Sequence, residues 1–124
     1  MKKKSYKITF ALKEGYSPKG KVYDLDDAVK VIRCWMEKRL KDNKPVLSGL
    51  LQEGQLFFPA PESSKETVTV SSTAVYCGEL SSTAELKRKN KEIRSTLESL
   101  AGELKAALRQ ESVFIIYRDD NWCI

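Results

Sequence analysis

The order in which the hydrophobic period changes along the chain constrains its fold most. Residues 5–12 alternate, with Tyr6, Ile8, Phe10 and Leu12 on one side and Lys7, Thr9 and Ala11 on the other. A period of two is that of a strand with one buried face. Gly15, Pro18 and Gly20 then break any period over 13–23, which reads as a loop. Beyond it Leu25, Ala28, Val29, Ile32, Trp35, Met36 and Leu40 recur at helical spacing, an inward stripe in which Trp35 and Met36 belong to the core. Asp24 is placed to cap this helix, and Asp26 and Asp27 occupy its first turn, where the dipole favours negative charge. Asn43 before Lys44-Pro45 ends it.

Residues 46–59 are strand-like again but interrupted by Gly49 and Gly54. They read as one long bulged strand in preference to a tight hairpin at Glu53-Gly54. Pro59 to Ser64 is a turn, and residues 66–79, with a β-branched run from Thr67 to Cys77 and a second bulge at Ser71-Ser72, are a third strand. Ser82 and Glu85 have the spacing of a capping box for a second helix of about 28 residues, on the order of 40 Å long. Leu86, Ile93, Leu97, Leu100, Leu104 and Ala107 make its heptad-like seam, with Asn90 in the vacant position. Gly102 is its weak point, since glycine costs a helix about 1 kcal/mol relative to alanine. Val113–Tyr117 is a last strand, apolar on both sides; Arg118–Asn121 is a polar turn, and the apolar tail Trp122-Cys123-Ile124 docks back on the chain.

The resulting order, β-α-β-β-α-β, is that of a ferredoxin-like plait, an α+β fold with a four-stranded antiparallel sheet and two helices on one face. No repeat or linker divides residues 1–124, so a single domain is expected. The uncovered sheet face is polar on the first strand and apolar on the last. With a helical seam that outruns the sheet and an apolar tail, this surplus predicts a homodimer about a two-fold axis.

Three features together resemble a family of small bacterial proteins of unknown function with a ferredoxin-like plait. They are the first strand running into a Gly/Pro-containing loop (Phe10 to Tyr23), the acidic helix start Asp24–Asp27, and Gln110-Glu111-Ser112-Val113 leading into the last strand. The chain departs from that family in the extra basic length of its second helix. The resemblance implies the fold and brings no active site with it.

The chemistry is bounded by what is missing. There is no histidine, which removes His-based triads and the usual activator of a catalytic cysteine. Cys34, Cys77 and Cys123 are far apart in sequence and form no zinc pattern. They read as reduced thiols, Cys34 and Cys77 as small buried hydrophobes. No phosphate-cradling glycine motif and no Ser-x-x-Lys occurs, so neither cofactor nor metal is expected. Asp24, Asp26 and Asp27 are explained by capping, and Asp119-Asp120 as solvated charges. No run of apolar residues reaches the length of a membrane span. The basic start Met1-Lys2-Lys3-Lys4 is followed by an alternating segment in place of a signal-peptide core, so a cytoplasmic protein is expected.

Charge is uneven. Residues 1–44 hold 13 Lys and Arg against 6 Asp and Glu, and residues 45–80 hold 1 against 4. Basic surface attracts anions. The first candidate is the 13–23 loop, where Tyr16, Lys19, Lys21 and Tyr23 interleave rings with cations suited to a small anionic, nucleotide-like ligand. The second is the cluster Lys87, Arg88, Lys89, Lys91 and Arg94, a nucleic-acid surface if either is. The leading expectation is a non-enzymatic homodimeric module for a small anionic ligand or a protein partner. A nucleic-acid binder comes second, because the first strand turns Lys7 and Thr9 outward where RNA-binding plaits present aromatics. A small cofactor-free enzyme of the dimeric plait type comes third.

Overall fold

The computed structural model describes residues 4–15, 19–59 and 68–124. The opening alternation becomes β1 (Lys4–Ala11), with Tyr6, Ile8 and Phe10 buried. Asp24 and Asp27 cap each other's backbone N–H at 2.9 and 3.0 Å and start α1 (Leu25–Lys41), whose Ala28, Ile32 and Trp35 are buried. Next come β2 (Leu50–Pro59) and β3 (Val68–Leu80), then α2 (Thr83–Leu86) and α3 (Asn90–Ala107). The chain closes with β4 (Phe114–Tyr117) and β5 (Asp120–Cys123).

The strands form one antiparallel sheet in the order β2-β3-β1-β4-β5. α1 packs on α3, and α3 on β1 and β4. Ile93, Leu97, Leu100 and Leu104 of α3 are fully buried in the same core as Ile8, Phe10, Trp35 and Ile115. Trp35 Nε1 donates to Ser99 Oγ at 3.0 Å and ties the two helices together.

Several expectations are corrected. The sheet has five strands, not four, because the docked tail pairs with β4 as β5, from Phe114↔Cys123 to Tyr117↔Asp120. Arg118, at φ 57, makes the sharp turn between them. The expected long second helix is broken at 87–89. There Lys4 Nζ donates to the carbonyls of Leu86 and Arg88 at 3.0 and 2.6 Å and terminates α2. Gly102 sits inside an unbroken α3. The seam is spent on the chain's own sheet, which removes it from the argument for a dimer; Ala107 at its end is exposed. Cys34 is exposed, on the face of α1 opposite Ile32 and Trp35, and Leu40 is 58% exposed beyond the sheet. Pairing in the second strand begins at Leu50 and runs unbroken from Leu50↔Cys77 to Pro59↔Val68, so the bulges expected over 46–59 and at Ser71-Ser72 are absent. The turn expected after Pro59 lies outside the described residues, and the residues before Leu50 form a strap whose carbonyls meet Tyr6 and Tyr76.

Two polar locks hold these parts. The hydroxyls of Tyr6 and Tyr76 donate at 2.6 Å to the strap carbonyls of Ser48 and Leu47. Gly78 lets the strap lie this close: a Cβ there would sit 2.7 Å from the Ser48 carbonyl oxygen and 2.8 Å from the Tyr6 hydroxyl. At the other end of β1, Gln110 accepts from the Ala11 N–H at 2.9 Å. Its amide nitrogen donates to the carbonyls of Lys13 and Leu108 at 2.8 and 3.0 Å.

Candidate functional site

The described surface offers concave polar geometry where α3 begins. Lys89, the residue before α3, is extended and gives no side-chain cap to the first turn, which leaves the positive end of the helix dipole to its surroundings. Asn90 Oδ1 accepts a 2.6 Å hydrogen bond from the Tyr117 hydroxyl. Burial raises the pKa of that hydroxyl above its ordinary value, so it remains a donor. One turn on, the Arg94 guanidinium lies over the Trp122 ring at 4.2 Å and bonds Asp120 Oδ2 at 2.8 Å. The indole N–H of Trp122 is buried and has no hydrogen-bond partner.

The β4–β5 turn forms the opposite wall. The Arg118 N–H donates to the Ser5 carbonyl at 2.9 Å, which fixes the turn beside the start of β1. Asn90, Arg94, Tyr117, Arg118, Asp119 and Asp120 line a cleft of about 280 Å³. A shallower hollow of about 460 Å³ shares Arg94 and continues along α3 past Lys91, Ser95 and Glu98. Lys91, Arg94 and Arg118 thus face Glu98, Asp119 and Asp120. A site with both signs of charge suits a small molecule that itself carries both.

The 13–23 loop lies at the other end of the sheet. Lys13 bridges Val22, and the Glu14 N–H donates across the loop to the Lys21 carbonyl at 2.7 Å. Lys21 Nζ stands 5.2 Å from the centre of the Tyr23 ring, so the structure brings these two candidates together. Tyr23 is buried in the core at 8% exposure, Lys19 is exposed, and Tyr16 lies outside the described residues.

The basic cluster is partly consumed. Arg88 makes a bidentate pair with Glu92 at 2.7 and 2.6 Å and donates to the Val46 carbonyl. Its guanidinium holds the Glu92 carboxyl below the ordinary range. Arg94 is engaged as above, while Lys87, Lys89 and Lys91 are exposed. On the open sheet face the central strands present Lys7 and Thr9 from β1, and Val75 and Cys77 from β3. The sequence pointed to Arg94 only as one charge in a run, and to Asp119-Asp120 only as solvent-exposed charges. Their meeting depends on β5, which carries no strong strand signal.

Among the described residues there is no cluster of metal-ligating side chains, and no helix is long and apolar enough to cross a membrane. No family model matches the sequence, and no curated protein matches it significantly. Solved structures do match. A phage SAM lyase in complex with S-methyl-5'-thioadenosine superposes with a TM-score of 0.65 at 16% identity, covering 98% of this chain and 88% of that one. A phage SAM lyase in the apo state gives 0.64, also at 16% identity, covering 98% and 87%. At such identity the similarity is one of fold.

Proposed function

We propose that this chain binds a small adenosine derivative with a sulfur-bearing 5' substituent, of the class of S-methyl-5'-thioadenosine and S-adenosylmethionine. The observation that carries this reading is the similarity along nearly the whole chain to a lyase solved with such a ligand. The cleft at α3 supports it chemically. S-adenosylmethionine carries a carboxylate, an ammonium and a sulfonium; Arg94 and Arg118 suit the first, Asp119 and Asp120 the other two. The exposed apolar side chains Phe57, Phe114 and Ile116 support reading the chain as a homodimer.

Cleavage of S-adenosylmethionine is a second reading, favoured by the same similarity. The sulfonium leaves as a neutral thioether with the electron pair of the broken carbon–sulfur bond. In the same step a base removes a proton from the neighbouring carbon of the other fragment, and the electrons of that carbon–hydrogen bond form a new carbon–carbon double bond. Such a step asks for positioning and a base, which suits a chain without histidine; Asp119 or Asp120 is available as that base. The 13–23 loop, with Lys21 against Tyr23, is the other seat for the ligand.

Titration with S-methyl-5'-thioadenosine and chromatography after incubation with S-adenosylmethionine test both readings. Arg94→Gln is expected to weaken binding at least tenfold. Reversal of Lys19 and Lys21 to Glu is expected to leave it within about twofold, since those residues lie at the far end of the sheet. The opposite pattern moves the ligand to the loop. Binding without release of the thioether leaves a binding protein and rejects the lyase reading.

A further inference from the structure

We propose that Asn90 reads the purine of the ligand and selects adenine over hypoxanthine, with Tyr117 as the positioning residue that fixes its amide. The proposal rests on the adenosine ligand proposed above and names the side chain that recognises its base. Asn90 is the first residue of α3, is exposed, and lines the cleft of about 280 Å³ with Arg94 and Arg118. Its Oδ1 accepts the 2.6 Å hydrogen bond from the Tyr117 hydroxyl. Its amide nitrogen has no partner among the described residues.

A primary amide carries two donors on nitrogen and two lone pairs on oxygen. Tyr117 occupies one lone pair, so one acceptor and both donors of Asn90 remain for a ligand. Adenine offers the complement: an amino N–H on C6, flanked by ring nitrogens that accept, N1 on one side and N7 on the other. An Asn amide meets such an edge with two hydrogen bonds. Hypoxanthine has a carbonyl oxygen in place of the amino group. To meet it, the amide must turn over and point its nitrogen at Tyr117.

Tyr117 opposes that exchange. It is 2% exposed in β4, paired with Tyr6 of β1, and its hydroxyl keeps its proton because burial raises the pKa. With the amide turned over, Asn90 would present a donor to that hydroxyl and leave its proton without the acceptor it now has. A buried donor with no acceptor is costly. The amide is thus held one way by a group that itself does not touch the ligand. Arg94, one turn on, supplies a flat surface. One face of its guanidinium lies over Trp122 at 4.2 Å, and the opposite face is left for the ring of a base. Stacking is indifferent to ligand charge, so Arg94 matters even for S-methyl-5'-thioadenosine, which has no carboxylate.

Calorimetric titration of the full chain with S-methyl-5'-thioadenosine and with its deaminated counterpart, S-methyl-5'-thioinosine, tests this. The wild type is expected to bind the adenine form at least tenfold more tightly. Asn90→Asp keeps the shape of the side chain and puts a carboxylate where the first turn of a helix favours one. It is expected to weaken the adenine form at least tenfold and to bring the two ligands within about threefold. Tyr117→Phe removes only the hydroxyl and frees the amide to turn. It is expected to bring the two ligands within about threefold while the adenine form loses no more than about fivefold. Variants that lower both affinities together and keep their ratio have a structural role only, which overturns the proposal. Discrimination untouched by Asn90→Asp places base recognition elsewhere and also overturns it. Equal binding of both ligands by the wild type overturns the reading by Asn90 but leaves the ligand class standing. If neither ligand binds, the ligand class falls and this proposal falls with it.

Discussion

Tyr6 and Gly78 carry much of the architecture at the residue scale. The Tyr6 hydroxyl is buried beneath the strap, against Tyr76, and donates to the Ser48 carbonyl. Burial first, and the neighbouring tyrosine second, raise its pKa well above the ordinary value. Because the folded pKa is the higher one, this contribution to stability is complete below about pH 10 and is lost as pH rises beyond it. Tyr6→Phe is expected to cost about 0.5–1.5 kcal/mol at neutral pH and to flatten the alkaline decline, read by chemical denaturation at pH 8 and pH 11. An equally steep decline in the variant would exonerate Tyr6. Gly78→Ala pushes a methyl group against backbone of the strap, which cannot swing away as a side-chain tip would. About 1–3 kcal/mol of destabilisation is expected. Unchanged stability would mean that the strap moves freely.

Elements are joined by single side chains that compensate for interrupted backbone. Gln110 is the clearest case: at 8% exposure it satisfies the end of β1, the following loop and the end of α3 together. Gln110→Ala leaves one buried and two part-buried backbone groups in search of partners and is expected to cost about 1–3 kcal/mol. Fast amide exchange should then be confined to Ala11 and its neighbours; a uniform change would place Gln110 outside this role. The Gln-Glu-Ser-Val stretch stood out in the sequence, but which backbone groups it bonds emerges only on folding. β1, α1 and β3, the N-cap at Asp24 and the capping box of Ser82 and Glu85 were legible because period and cap chemistry are local signals. The break after α2 was not, because a lysine more than eighty positions away ends that helix. β5 was hidden because its turn uses Arg118 at positive φ where Asn or Gly is usual, and its four residues are too few to show a period. The cleft was illegible for the same reason, since Asp120 and Trp122 reach Arg94 only through that strand.

For the whole molecule, the two ends of the sheet have different chemistry. One holds a cleft of mixed charge between α3 and the β4–β5 turn, and the other carries the exposed apolar side chains Leu56, Phe57, Val68 and Val70 beyond the end of β1. A salt-dependent affinity for nucleic acid that is lost on reversing Lys87, Lys89 and Lys91 would instead favour the basic cluster as the working surface. The central claim is the ligand class, and calorimetric titration of the wild-type protein with S-methyl-5'-thioadenosine tests it most directly. The account predicts saturable binding of one ligand per chain that Arg94→Gln weakens at least tenfold. Absence of any binding up to millimolar ligand would contradict it.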